Sequence, residues 1–330
     1  MPTVDEITRK SLAALRAAGV PEPAARTQLS LLLEAELRGV PSHGLLRLPR
    51  VIQRIRNGVC KPNATGRGLW RREAFYEVDG ENGLGPVVAL SALEHVCVRA
   101  ADTGVAVAAI RNCDHLGMLA WYAEQVARKG QILVALTISE ALVHPWGGRR
   151  AMLGTNPITI GIPAQPDPFV FDMATSLVSM GKIHDHANRG VAIPEGWALN
   201  SEGYPTTDAA AAKQGAIAPF GGAKGYGLAL GFELLVAALS GSAIGREVAG
   251  TLDSEQPCNK GDVFIVLEPT TGAAGMVSTF MQELRASPAA DPRQPVRIPG
   301  DRARQARRDH LEVGIDLAPE VWEQIVEMAG

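Results

Sequence analysis

The sequence changes character near Trp70, and this change constrains the fold more than any other feature. In residues 1–70 the apolar residues recur at helical spacing, which predicts an all-helical segment. Beyond Trp70, short β-type runs alternate with helical segments, which predicts a mixed α/β region with one or two sheets. The predicted strands are Phe75 to Val78, Val105 to Ile110, Ile132 to Ile138, Ile158 to Ile162, Phe169 to Phe171 and Val263 to Leu267.

Three helices are predicted in the first segment. Thr3 followed by Glu6 is a capping-box pattern that starts the first helix. The second helix ends near Gly39, because glycine and the proline that follows it stop a helix. Ser42 is expected to cap the third helix. The apolar residues expected on that third helix are Leu45, Leu46, Leu48, Val51, Ile52 and Ile55.

Further helices are predicted between and after the strands. They are Pro86 to Ala101, Leu119 to Arg128 and Gly227 to Leu239. The last of these is apolar almost all round, so we expect it to be buried. The tail from Arg302 to Met328 is charged and amphipathic, which predicts helical structure at the C-terminus.

Charge and cysteine usage exclude several classes of protein. The 330-residue chain has 32 Lys and Arg residues against 35 Asp and Glu residues, a balance that does not capture nucleic acid or an acidic membrane. Its four cysteines form no C-x-x-C pair, which argues against a disulfide framework or a zinc ribbon and favours a reducing compartment. Neither a leader peptide nor a membrane-spanning apolar run is recognisable. We therefore expect a cytoplasmic protein without nucleic-acid or membrane partners.

Several common motifs are absent or incomplete. Residues 83–86, Gly-Leu-Gly-Pro, lack the third small residue of a dinucleotide fingerprint, and a turn into a helix explains them at least as well. No glycine stands five positions before Gly181, so there is no P-loop, and neither H-E-x-x-H nor G-x-S-x-G occurs. His184 and His186 would point to different sides of a helix, so we expect a solvated helix face there and no metal site.

The segment from Ser42 to Arg47 carries the first candidate chemistry. If Ser42 caps a helix, His43 lies at its positive end and Arg47 lies on the same face one turn later. Such a pair suits a carboxylate beside a carbon that bears oxygen or nitrogen, because arginine binds the carboxylate bidentately while histidine exchanges a proton with the neighbouring atom. The helix end also favours the neutral imidazole, which is the basic form. A capping serine beside an exposed histidine explains the spacing equally well.

Three glycine-containing turns are further candidates. Residues 112–117 stand between a strand and a helix, where free backbone N–H groups can bind an anion. Residues 154–157 and 221–227 also combine glycine with polar or cationic residues. Each turn taken alone is more often a tight turn than a ligand site.

Taken together, these segments resemble the malate/L-lactate dehydrogenase family that does not use the Rossmann fold. This family includes sulfolactate dehydrogenase, ureidoglycolate dehydrogenase and the Δ1-piperideine-2-carboxylate reductases, and the resemblance covers essentially the whole chain. The matching motifs, in order, are Ser42-His43-Gly44 with Arg47, Val78-Asp79-Gly80 with Gly83, Asn112 to Gly117, Leu153 to Pro157, Phe171 to Ser176, Gly181-Lys182, Gly221 to Gly227, and Pro299-Gly300 before Arg302.

The resemblance implies a homodimeric NAD(P)-dependent enzyme that acts on 2-keto acids, L-2-hydroxy acids or cyclic 2-imino acids. It implies a mixed α/β fold in which a non-Rossmann mixed sheet with helices binds NAD or NADP, with NAD slightly preferred, and a helical domain from the two termini. The missing fingerprint is then expected. The implied division is 1–70 for the N-terminal helical part, 71–280 for the α/β cofactor-binding and substrate region, and 281–330 for a C-terminal segment that packs with the N-terminal helices.

The resemblance also implies a role for each motif. His43 looks like the proton donor and acceptor, with Ser42 and Lys182 beside it in a relay. His115 is the alternative acid/base, because it too lies in a site-forming turn. The implied substrate contacts are Arg47, Thr155, Met180 and Gly181. The implied cofactor contacts are His115, Leu116, Gly117, Met118, Leu119, Ser139, Asp172, Met173, Ala174, Lys224, Gly225, Arg302 and Arg304.

One departure from the family pattern bears on the substrate. Imine reductases of the family tend to carry Arg-Gly-Asp where this chain has Met180-Gly181-Lys182, so a substrate-facing arginine and a relay carboxylate are missing. This difference disfavours an imine reductase. Lys182 could instead neutralise a second anionic group of a malate-like or sulfolactate-like substrate, although a role in supporting the relay or the helix end explains it equally well.

The expected function is the interconversion of a small L-2-hydroxy acid, malate-like or sulfolactate-like, and its 2-keto acid by hydride transfer. The first alternative is a reductase of a cyclic imino acid, Δ1-pyrroline-2-carboxylate or Δ1-piperideine-2-carboxylate. The second is an inactive protein that keeps the fold to sense a ligand, against which the intact motifs argue. The arginines near the C-terminus could accept a cofactor phosphate, although a solvated cationic helix explains them better; they are Arg302, Arg304, Arg307 and Arg308.

Overall fold

A seven-stranded mixed sheet forms the centre of the protein. The computed structural model describes residues 2–330. The strands are β1 (Arg67–Arg72), β2 (Phe75–Gly83), β3 (Val105–Cys113), β4 (Ile132–Thr137), β5 (Ile158–Ile162), β6 (Phe169–Met173), β7 (Ala198–Leu199), β8 (Pro205–Thr206), β9 (Ala216–Ile217) and β10 (Gly261–Leu267). The large sheet has the order β1-β2-β3-β10-β4-β5-β6, and the small one has the order β8-β7-β9. Only β2 and β3 pair in parallel; the other neighbouring strands in residues 2–330 are antiparallel.

Helices surround the sheet and form a separate layer at one side. They are α1 (Val4–Ala17), α2 (Glu22–Leu37), α3 (Leu48–Arg56), α4 (Gly85–Thr103), α5 (Ala120–Arg128), α6 (Met180–Asn188), α7 (Ala209–Ala212), α8 (Ala223–Ser240), α9 (Ala273–Ala286), α10 (Asp301–Val313) and α11 (Pro319–Ala329). Short 3-10 turns occur at Pro41–His43, Leu45–Arg47 and Gly245–Glu247.

The central strand β10 shows how the core is packed. Phe264 stands opposite Ala108 on β3 and Ala135 on β4, and these small neighbours leave room for its ring. The ring centre lies 5.7 Å from that of Tyr122 on α5. The preceding residue, Val263, points to the opposite face of the sheet and packs against α8. Because helices cover both faces, β10 is apolar without alternation.

Helices from the two ends of the chain pack together. The capping box of α1 is present as predicted, with Glu6 N–H donating to Thr3 Oγ1 and Thr3 N–H donating to the Glu6 carboxylate. At the other end, α11 lies on α1 and buries Val321 and Ile325 in the same apolar cluster. The C-terminal tail forms two helices, α10 and α11, because Gly314 ends α10.

The mixed α/β class is confirmed, and the six predicted strands are present as β2 to β6 and β10. The sequence did not reveal β1, an edge strand with the sequence RGLWRR, because its mostly exposed residues lack an apolar pattern. The small sheet was missed because its strands have only two residues each, too few for a recognisable alternation. Residues 83–86 form the turn into α4, with Pro86 in the first helical turn, as the turn interpretation predicted.

The prediction that α8 is buried is wrong. One side of this helix packs on the sheet through Val236, whereas Leu228, Leu234 and Leu235 on the other side are 40%, 50% and 42% exposed. Because apolar residues occur on all sides of α8, the sequence did not indicate which face packs on the sheet. By length and composition alone α8 could also cross a membrane, a test that core helices of globular proteins pass as well.

Candidate active site

The segment expected to form a helix capped by Ser42 is irregular, so that prediction is wrong. Two short 3-10 turns occupy residues 41–47, and α3 begins only at Leu48. Gly44 separates the turns with φ −96° and ψ −146°, a conformation that no helix contains. The Ser42 hydroxyl bonds to the adjacent His43 ring instead of a helix N–H.

This irregular segment nevertheless brings the predicted imidazole and guanidinium together. Ser42 Oγ lies 3.0 Å from Nδ1 of His43. Nε of Arg47 donates to the Ser42 carbonyl oxygen at 2.8 Å, which holds the guanidinium beside the same turn. Gly181, near the start of α6, packs against Ser42, since a Cβ built on it would lie 3.4 Å from the Ser42 Cβ. Four residues predicted for the site therefore share one corner of the molecule.

A second imidazole meets His43 from the side of the sheet. His115 follows β3, and its ring centre lies 5.5 Å from that of His43. Its Nδ1 accepts the Gly117 N–H at 3.1 Å, which assigns the proton of the neutral ring to Nε2. The Asp114 carboxylate accepts the His115 N–H and forms a buried ion pair with Arg54 at 2.9 Å. Both the ring and the backbone of His115 are thus held in place.

Burial keeps both imidazoles neutral while the nearby guanidinium stays charged. Burial, and to a smaller extent the charge of Arg47, lowers the pKa of His43 to about 4. Burial together with the charges around it also lowers the pKa of His115 well below its ordinary value. The pKa of Arg47 is lowered to about 10 by burial and by Arg50, which still leaves it cationic at neutral pH. A neutral base beside a cation can bind a carboxylate and accept a proton.

Thr155 and Ser139 lie together at the ends of β5 and β4. The Thr155 N–H donates to Ser139 Oγ at 3.1 Å, and the two hydroxyl oxygens are 3.4 Å apart. The next residue, Asn156, donates to the buried Glu233 carboxylate of α8, which also accepts the Gly154 N–H. Sequence reasoning missed Glu233, although an acidic residue inside an apolar helix was a usable signal.

Two of the predicted cofactor segments are joined at the start of α5. Asp172 at the end of β6 accepts the Ala120 N–H at 2.8 Å. This N–H is one of the helix donors that has no partner within the helix. The bond joins Ala120, which follows residues 115–119 in sequence, to Asp172 in the segment 172–174.

Lys224 and Gly225 lie in the first turn of α8, after two glycines with left-handed backbone, Gly221 and Gly222. Gly225 has no room for a side chain, because a Cβ would overlap the Phe220 carbonyl oxygen. The Lys224 side chain is exposed and forms no ion pair within residues 2–330. Free helix N–H groups and an unpaired ammonium group are suited to an anionic ligand.

The two predicted C-terminal arginines differ in position. Arg304 lines a cavity of about 400 Å³, donates to the Pro168 carbonyl oxygen and pairs with Asp301 at 2.9 Å. Its side chain is 15% exposed, so the interpretation as a solvated helix face is wrong for this residue. Arg302 is exposed and lies outside the cavity. The other arginines that line it are Arg285, Arg297 and Arg308.

The three residues at the start of α6 have separate surroundings. Met180 packs into a small apolar cluster with Ile183, and Gly181 meets Ser42 as described. The Lys182 side chain is exposed and makes no ion pair or side-chain hydrogen bond in the described residues 2–330. It therefore does not touch the hydroxyl or the imidazole of the relay. His184, on the same helix, is exposed, and no group of three or more potential metal ligands is found among residues 2–330.

Comparisons with known proteins agree with this architecture. Residues 3–326 match the model of the family described as malate/L-lactate dehydrogenase. The chain is 36% identical over 311 residues to the L-sulfolactate dehydrogenase of Methanocaldococcus jannaschii, which covers 92% of this chain and 90% of that protein. It is 32% identical over 333 residues to the Δ1-pyrroline-2-carboxylate reductase of Ancylobacter novellus, which covers 98% of each chain. The crystal structure of a dehydrogenase from Sinorhizobium meliloti is similar at a TM-score of 0.96 and 51% identity, over 99% of this chain and 97% of that one.

The fold and the comparisons together define a mixed α/β dehydrogenase whose mostly antiparallel sheet differs from the parallel sheet of a Rossmann fold. The chain belongs to the malate/L-lactate dehydrogenase family, which confirms the family predicted from its motifs.

Proposed function

We propose that this chain is an NAD(P)-dependent oxidoreductase that interconverts a small L-2-hydroxy acid and its 2-keto acid. The observation that carries the proposal is the convergence of a neutral imidazole, His43, and a charged guanidinium, Arg47, on residues 41–47. Arg47 binds the substrate carboxylate, and His43 exchanges the proton of the adjacent hydroxyl group. Relatives named as sulfolactate and malate dehydrogenases support this substrate class.

His43 is the acid/base in this proposal because its hydrogen-bond partner can adapt. Its Nδ1 faces the Ser42 hydroxyl, which donates or accepts as the ring changes tautomer and so passes a proton on. His115 accepts the Gly117 N–H at Nδ1, so it cannot take up a proton there without losing that bond. We assign His115 the role of a donor through Nε2.

Thr155, Met180 and Gly181 form the remainder of the substrate pocket in this proposal. Lys182 neutralises a second anionic group, as a malate-like or sulfolactate-like substrate requires. This role of Lys182 is supported by its place in the chain. Its side chain is exposed and unpaired, and the preceding residue, Gly181, packs on Ser42.

The residues of the site fit a nicotinamide dinucleotide. The free N–H groups at the start of α8, the unpaired Lys224 and the arginine-lined cavity are suited to its phosphates. We propose that it is held by residues 115–119, Ser139, residues 172–174, Lys224 with Gly225, and Arg302 with Arg304. When bound, the nicotinamide supplies the hydride donor or acceptor. The residues of this chain supply binding, orientation and the proton.

Between the two cofactors, we propose NAD as the preferred one. Arg304 and Arg285 both line the cavity, but each already pairs with Asp301, at 2.9 Å and 2.7 Å. Their charges are therefore not free for the additional phosphate of NADP. Faster turnover with NADPH than with NADH would overturn this assignment and would point to Arg297 and Arg308, which line the same cavity, as contacts of the additional phosphate.

We also propose that the enzyme is a cytoplasmic homodimer. One side of α8 is apolar and exposed, and α9 also exposes apolar residues, with Met276 and Phe280 70% and 59% exposed. Large exposed apolar surfaces of this kind mark protein interfaces. The four cysteines are all free, as expected in a reducing compartment.

A cyclic imino acid reductase is the second candidate function. It is favoured by the similarity to the Δ1-pyrroline-2-carboxylate reductase, whereas the sequence Met180-Gly181-Lys182 disfavours it.

The test is a panel of 2-keto acids and cyclic imino acids, each assayed with NADH and with NADPH. The proposal expects turnover of oxaloacetate or sulfopyruvate with NADH and little or none of Δ1-pyrroline-2-carboxylate. Turnover of imino acids alone would replace it with the second candidate. Cofactor binding without any turnover would instead favour a ligand sensor.

A further inference from the structure

The carboxylate of Glu36 contacts the segment that carries His43 and Arg47. Glu36 lies at the end of α2 and is 5% exposed. Its Oε1 accepts the Leu45 N–H at 2.7 Å, and the Leu46 N–H also faces the carboxylate. These are the first N–H groups of the second 3-10 turn, which have no partner within the turn itself.

Gly44 makes this close approach possible. A Cβ on Gly44 would overlap the Glu36 carboxylate, so a glycine is needed between His43 and Leu45. The carboxylate therefore lies directly against the backbone of the site segment and not merely near it.

Glu36 has no cation to balance its charge. Within residues 2–330 it forms no ion pair, whereas Glu34, two residues earlier, pairs with Arg38 and Arg307. An uncompensated buried carboxylate is unfavourable unless hydrogen bonds stabilise it. Burial raises the pKa of Glu36 to about 7, and the two N–H groups and the His310 imidazole oppose that rise. An apolar residue at this position would avoid the buried charge but would leave the N–H of the buried Leu45 without its acceptor.

We propose that Glu36 is a positioning residue, whose carboxylate holds the backbone of residues 44–46 and thereby sets the placement of His43 relative to Arg47. This inference rests on the proposed function, because it assigns Glu36 to the same site. Placement matters for rate, since a shift of about 1 Å in a reacting group can lower turnover by about a hundredfold.

The titration of Glu36 gives the proposal a distinctive signature. Apart from the two N–H groups, the titratable side chain that acts on this carboxylate is His310 of α10, whose Nδ1 lies 3.1 Å from the Glu36 carbonyl oxygen. Protonation of Glu36 removes the charge that strengthens its bonds to Leu45 and Leu46. We therefore expect activity in the oxidation direction to fall as the pH drops through about 7, well above the pKa of about 4 that His43 itself has.

The experiment compares Glu36→Ala and Glu36→Gln with the matched control Glu34→Gln on the same helix. Two quantities are measured: hydrogen exchange of peptides that contain residues 44–47, and kcat/KM as a function of pH. In Glu36→Ala we expect exchange of this segment to accelerate and kcat/KM above neutral pH to fall by about tenfold or more.

The conservative variant separates positioning from packing. Glu36→Gln keeps an uncharged acceptor oxygen, as protonated Glu36 does, so we expect its kcat/KM to match the wild-type value below pH 7, to exceed that of Glu36→Ala and to show no change through pH 7. Glu34→Gln should leave both the exchange of residues 44–47 and the pH profile unchanged.

Each outcome decides between the hypotheses. Unchanged exchange of residues 44–47 in Glu36→Ala would overturn the proposal. Faster exchange with wild-type kcat/KM would also overturn the positioning role but leave the proposed function standing, whereas a wild type that turns over no 2-keto acid would overturn the proposed function, so the two failures are distinguishable. If Glu36→Ala does not fold, a Glu36→Gln profile that still falls near pH 7 would overturn the proposal.

Discussion

The two imidazoles of the site come from regions that are built differently. His115 follows a strand of the large sheet, and its ring nitrogen, its N–H and its neighbour Asp114 are all engaged in fixed bonds. His43 lies in a 3-10 turn, and its ring faces a single hydroxyl. The regular region holds its imidazole in one protonation form, whereas the irregular region leaves its imidazole able to exchange a proton. The assignment of chemistry to His43 depends on this contrast.

The largest expected effect is that of His43→Ala. Loss of a general acid/base lowers the rate by about 10² to 10⁴-fold, so we expect roughly a thousandfold slower hydride transfer in a single turnover. The matched variant His115→Ala should lose only about tenfold, because it removes one hydrogen-bond donor to the reacting oxygen. Equal rate losses in the two variants would contradict the assignment of the acid/base role to His43 alone.

The next largest effect concerns the ion pair of Arg54 and Asp114, which lies beside His115. Arg54→Met leaves Asp114 buried without its cation, which costs about 3 kcal/mol or more of unfolding free energy. Urea unfolding measures this loss, with the exposed Arg56→Met as control. A variant as stable as the wild type would show that the ion pair does not hold His115.

Arg47→Ala tests the substrate-binding role proposed for the irregular segment. Removal of a bidentate contact to a carboxylate costs about 2 kcal/mol, so we expect KM for the 2-keto acid to rise by roughly thirtyfold. Arg47→Lys should recover part of this loss, because it restores the charge but not the planar fork. Steady-state kinetics with an unchanged KM would exclude Arg47 as the carboxylate ligand.

The smallest effect is expected for Ser42→Ala, which removes the relay partner of His43. We expect about a tenfold fall in kcat, with KM unchanged. In a His43→Ala background the same change should add nothing, because the relay is already broken. Additive losses in this double-mutant cycle would separate Ser42 from the function of His43.

The sheet was predictable because its strands are apolar runs bounded by turns. Strands such as β4 and β10 meet helices on both faces, so burial alone explains most of their residues. The edge strand β1 faces solvent and carries no such signal. The orientation of α8 was not predictable either, because apolar residues occur on all its sides.

The sequence indicated which residues of this segment to consider, but not the backbone geometry that carries them. The spacing of Ser42, His43 and Arg47 indicated a helix, because local propensity carries no information about Glu36, whose carboxylate takes the Leu45 N–H from another element. An acid among the leucines of α2 was the only available signal. In our proposal, this bond between two elements shapes the turn that carries His43 and Arg47.

The most direct test of the account is the structure of the enzyme with reduced cofactor and oxamate, an unreactive analogue of a 2-keto acid. We expect Nε2 of His43 within about 3.2 Å of the oxamate carbonyl oxygen, with Arg47 on its carboxylate. A complex in which His115 alone contacts that oxygen, or in which the nicotinamide ring lies far from both His43 and Arg47, would contradict the account.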